Sequence, residues 1–136
     1  MSYASAAALQ EAVFAALTAD ASVAALSGGA VFDAMPPGAV PSLYVSLGPE
    51  RARQRADATA DGALHDVSVL VVSSAAGFGA AKALAVAVSD ALDGAALTLA
   101  RGRLVALHFR RAQAKRDGDS RRIELWFRAR IDLESA

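Results

Sequence analysis

The chain has 136 residues, 54% of them apolar and none cysteine, and its 14 Lys and Arg balance its 14 Asp and Glu. A chain of this length can bury a hydrophobic core as one domain, and the lack of cysteine excludes disulfides, thiolate metal sites and thiol nucleophiles. Neutrality conceals an asymmetry: residues 1–100 hold four basic against nine acidic side chains, while residues 101–136 hold ten against five. Such a split suits copies that dock head to side as well as it suits an anionic ligand.

No basic leader opens the sequence, and no apolar run approaches the roughly 20 residues that span a bilayer, so a soluble protein without a membrane partner is expected. In residues 6–19 the apolar positions Leu9, Ala12, Val13, Ala16 and Leu17 form one helical stripe, with Ser5 placed as N-cap and Asp20 near the end. Ser22 to Leu26 adds a further turn before Ser27-Gly28-Gly29 breaks it. Val31-Phe32 reads as a short extended stretch, and Pro36-Pro37-Gly38 forbids regular structure.

A strand opens at Pro41, with Leu43, Val45 and Leu47 on one side and Tyr44 and Ser46 on the other, stopping at Gly48-Pro49. Arg51 to Gly62 is polar and alanine-rich and reads as a mobile loop; its Arg51, Arg53, Arg55, Asp57 and Asp61 are candidate docking residues that order on contact with a partner. Ala63 to Ser73 alternates at first and then turns apolar on both faces, the pattern of a central strand. Ala81, Leu84, Ala85, Val88 and Leu92 make a second helical stripe, closed by Asp93 and a left-handed Gly94.

Leu104 to Ala114 and Arg121 to Leu133 form a long amphipathic hairpin, apolar on one face and rich in arginine on the other. Core residues must face core residues across the pair. Val105, Leu107 and Phe109 oppose Ile131, Ala129 and Phe127 only if the loop has an odd number of residues. That condition selects Asp117-Gly118-Asp119 as the loop and sets Arg110 across from Trp126. The whole is an α+β plan, a single domain over residues 1–136: two main helices on one face of a largely antiparallel sheet that ends in the hairpin.

Candidate chemistry is sparse. Gly77-Phe78-Gly79 with Lys82 lies between strand and helix, where a phosphate loop would lie, but lacks the Gly-Lys-Ser/Thr start that such a loop needs. Asp57 to Gly62 opens like a calcium loop, yet its twelfth position is Ser68 instead of a bidentate Glu. His65 and His108 sit in strands without metal-ligand partners and read as solvated or cross-strand polar residues, so neither a cofactor nor a catalytic set is expected. What remains is the arginine face. Arg110, Trp126, Arg128 and Arg130, with Arg116, Arg121 and Arg122, are candidates for a subunit or connector interface, because Trp126 is expected to be exposed there and Arg and Trp concentrate at contact hot spots.

Taken in order, the chain resembles the tail-completion or tail-terminator proteins of long-tailed phages and of the related bacterial gene transfer agents. The resemblance is carried by Leu17-Thr18-Ala19-Asp20, Val23-Ala24-Ala25-Leu26, Val31-Phe32-Asp33 with Pro36, and Pro41 to Gly48. It continues through His65 to Ser73, Gly79 to Asp93, and the Asp117-Gly118 hairpin leading into Ile123 to Arg130. It implies a non-enzymatic subunit, assembled in the bacterial cytoplasm into a ring usually of six copies. Such a ring caps the tail tube protein in the neck of the particle, joins it to the head-tail connector or stopper, and lets DNA pass without specific binding. Two alternatives stay open: a head-completion or connector protein at a neighbouring position, and a free-standing nucleic-acid-binding module that uses the basic hairpin.

Overall fold

The computed structural model describes residues 3–35, 37–54 and 62–133. Helix α1 runs Ala6–Ala19 and α2 runs Ala21–Ser27. Ser5 stands at the N-cap of α1 without capping it through its side chain; its hydroxyl instead donates to the Arg101 carbonyl at 3.1 Å. Asp20 is the working cap, since it stops α1 and accepts the Val23 amide at 3.0 Å to start α2. Strand β1 is Val31–Phe32, β2 is Leu43–Gln54, β3 is Gly62–Ser73, α3 is Gly79–Leu92, β4 is Arg103–Asp117 and β5 is Ser120–Asp132.

These strands form one sheet in the order β1-β2-β3-β5-β4, parallel only between β1 and β2, so β3 is central as its two-sided apolar run predicts. The helices cover one face. There Leu9, Val13 and Leu17 of α1 and Leu84, Val88 and Leu92 of α3 meet Val69, Val71, Ile123, Leu125, Phe127 and Ile131 of the sheet. Among the described residues the other face carries no helix.

Two expectations are corrected here. Arg51 to Gln54 is not loop: β2 passes through Gly48-Pro49 by a register shift between Leu47 and Glu50 and continues to Gln54, and Gly62 already belongs to β3. A bulge absorbs the proline's missing donor, which a regular ladder could not. The hairpin turn is also shorter than parity suggests. Asp117 pairs with Ser120 across the two residues Gly118 and Asp119, and Gly118 takes a φ of +60°. Phe109 still faces Phe127 and Leu107 still faces Ala129 because an extra residue, Arg110, restores the parity, and a second extra residue, Val105, shifts the register again.

His65 is corrected as well. It is fully buried, not solvated; its ring stacks at 6.3 Å from that of Tyr3, and neither ring nitrogen has a hydrogen-bond partner among the described residues. Burial lowers its pKa, and the opposing influence of Glu50 and Asp66 is smaller. The folded state therefore disfavours the protonated ring relative to the unfolded chain. Stability is then complete above the unfolded value of about 6.5 and declines as pH falls below it, by at most about 1.4 kcal/mol per pH unit. Urea titrations at pH 7.5 and 5.5 should show the loss in the wild-type chain, and His65→Leu should remove that part of the pH dependence. An equal decline in both proteins would place its origin elsewhere.

Candidate interaction site

On the uncovered face, β2, β3, β5 and β4 lie side by side and bring six predicted or neighbouring residues together. Arg51, Asp66, Arg110, Arg111, Trp126 and Arg128 line one concavity of about 260 Å³. The register explains the grouping, since Asp66 stands between Arg51 and Arg128 on its two neighbours. The bulge in β4 contributes the rest: with Arg110 extra, Arg111 pairs with Trp126, and both consecutive arginines reach the same hollow.

Trp126 is 8% exposed, so it is not the exposed indole that the sequence suggests. Arg111, and not Arg110, covers it, with its guanidinium carbon 5.5 Å from the ring centre, and the indole N–H donates to Glu124 at 2.7 Å. Arg128 meets Asp66 through two bonds, Nε to Oδ1 at 2.8 Å and Nη2 to Oδ2 at 3.3 Å. The Arg128 hydrogen bond holds the Asp66 carboxyl below its usual range, with burial opposing and the charges of Arg128, Arg53 and Arg110 assisting.

The remaining candidates disperse. Arg130 is exposed on β5 opposite Leu64 and Ala106. Arg116 is exposed near the turn, opposite Arg121. Arg121 leaves the arginine face: it donates to the Ala76 carbonyl at 2.8 Å and lies 5.9 Å from the centre of the Phe78 ring, tying the hairpin to the approach to α3. Arg122 reaches Asp117 at 3.5 Å. Arg53 sits in β2 opposite Leu64. Arg55, Asp57 and Asp61 lie outside the described residues, as does most of the calcium-like stretch.

Asp66 escapes sequence reasoning because its role depends on which strands are neighbours, whereas Glu124, two residues before Trp126 on β5, shares its face by the alternation of a single strand and could have been named from spacing alone. The β3-β5 pairing alone would have located Asp66. Among the described residues no group of three or more His, Asp or Glu is placed to hold a metal ion, and no single helix is long and apolar enough to cross a membrane. Lys82, from the phosphate-loop-like stretch, lies 5.9 Å from the centre of the Phe78 ring.

This geometry defines a small α+β protein with helices on one face of a sheet and a guanidinium-lined, partly self-neutralised hollow on the other. The chain belongs to the tail completion protein gp17 family, whose model matches residues 11–132. It is similar at 57% identity to a chain in a solved structure described as the virion of a native gene transfer agent particle. The TM-score is 0.91, and the match covers 96% of this chain and 99% of that one. No curated protein matches it at a significant level.

Proposed function

We propose that this chain is a tail terminator, a structural subunit without enzymatic activity that closes the tail tube in the neck of a phage-like particle or gene transfer agent. The observation that carries the reading is the 57% identity, over nearly the full length of both chains, to a component of a gene transfer agent virion. Copies assemble into a ring, six in number, between the tube protein and the head connector, and DNA passes through without being held. Tight phosphate contacts would oppose that transit. The arginine face, chiefly Arg110, Trp126, Arg128 and Arg130, lies in a subunit or connector contact, where a desolvated Arg and aromatic pair is worth most. A closed ring of identical contacts also accounts for the long edge of β4 as a surface that a neighbour covers.

Deleting the gene and imaging the particles tests the reading. Tails of uncontrolled length beside full heads are expected. Normal tails beside leaking heads would overturn it in favour of a head-completion role.

A further inference from the structure

Two surfaces on opposite sides of the sheet are complementary in charge. The first is the hollow of Arg51, Arg110, Arg111 and Arg128, in which Asp66 offsets only part of the positive charge. The second lies in the helical layer, where α2 and α3 leave a groove of about 280 Å³. Its apolar floor includes Leu26, 45% exposed, and Val86, 59% exposed, and its rim carries the carboxylates of Asp20 and Asp90. Large apolar side chains left this open beside acids are a surface waiting for an amphipathic partner.

We propose that the exposed arginines around the hollow of one copy reach into the acidic α2–α3 groove of the next, a deepening that rests on the ring reading above. Arginine is suited to this role because its fork matches a carboxylate with two parallel bonds, and its stem covers apolar side chains such as Leu26 and Val86. Because the two surfaces lie on opposite faces of one sheet, the contact is head to tail. Such a contact repeats identically from copy to copy and closes into a ring when the rotation between copies permits.

The same features disfavour a nucleic acid as the occupant. A single strand needs aromatic faces free for stacking, and Trp126 is buried under Arg111 with its N–H engaged. A duplex needs an uninterrupted track of cations, and here Asp66 and Glu124 are interleaved among the arginines.

The test is a charge exchange in the full chain, followed by native mass spectrometry and sedimentation, with circular dichroism to confirm folding. Arg110→Glu and Asp90→Arg alone should each weaken self-association by about tenfold or more. Arg51→Glu, from a different strand, should do the same and guards against an effect of the β4 bulge. Mixing the Arg110→Glu and Asp90→Arg proteins should restore assembly to within about threefold of wild type, because alternating copies regain an opposite-charge pair at every contact. Single variants that assemble like wild type, or a mixture that fails to recover, would overturn the proposal. So would Arg110→Glu abolishing binding to a short DNA duplex while self-association stays intact. A wild-type chain that remains monomeric even on tail tubes would instead overturn the ring reading beneath it.

Discussion

Phe127→Ala is expected to lower the unfolding free energy by about 3–5 kcal/mol, the range for emptying a fully buried aromatic site. Phe127 has no exposed surface and lies on β5, between Val67 of β3 and Phe109 of β4, with its ring 5.9 Å from that of Phe109 in an edge-to-face arrangement. Three strands and the overlying helices depend on that one volume. β5 pairs along its length with both neighbours and cannot collapse into the void without breaking two ladders. Phe109→Ala should cost much less, because Phe109 is already 39% exposed and water fills part of the space. Urea unfolding of the two variants checks the contrast; equal losses would mean that β4 contributes as much to the core as β5.

Gly102→Ala is expected to cost about 2–5 kcal/mol, although it changes a surface residue by one methyl group. Two penalties add. Gly102 has a φ of +83°, where a side chain adds about 1–2 kcal/mol of steric cost. Its missing Cβ would also lie 2.6 Å from Ser5 Oγ, 3.0 Å from Ile131 Cγ2 and 3.0 Å from Leu133 Cδ2, and such overpacking costs typically 1–3 kcal/mol. The Ser5 hydroxyl has little freedom to yield, since it is buried and bonded to the Arg101 carbonyl. Gly94→Ala separates the terms: Gly94 has a φ of +75° with nothing within 4 Å of its Cβ position, so only the backbone cost remains. Thermal melts should show the larger shift at Gly102; parity between the two would remove the packing term.

Both predictions concern places where chain-local patterning and three-dimensional context part company. Patterning locates α1, α3, the central β3 and the hairpin because each carries a recurrent run of apolar residues that hydrophobic burial enforces, even though bulges interrupt the period in β4. It misses the continuation of β2 through Gly48-Pro49, where a bulge carries the strand past the glycine and proline that patterning reads as its end. The two bulges of β4 leave no trace in composition, so parity reasoning recovers the core pairs Leu107–Ala129 and Phe109–Phe127 while assigning them to the wrong turn and matching Trp126 with Arg110 instead of Arg111. The arginine face is legible as a set, but its internal pairing with Asp66 is not, because strand order is a long-range property. Asp20 caps α2 and Asp90 lies on α3, and the two line one groove only in the folded chain.

The chain contains a single tryptophan. Its indole is capped by Arg111 and bonded to Glu124 at the floor of the arginine hollow. Emission from this one chromophore therefore reports on a single address: the guanidinium above it cannot be drawn away, nor the hollow dried, without altering the light the ring gives off. The protein carries a label-free optical gauge of that face, and no dye need be attached to follow events there in real time.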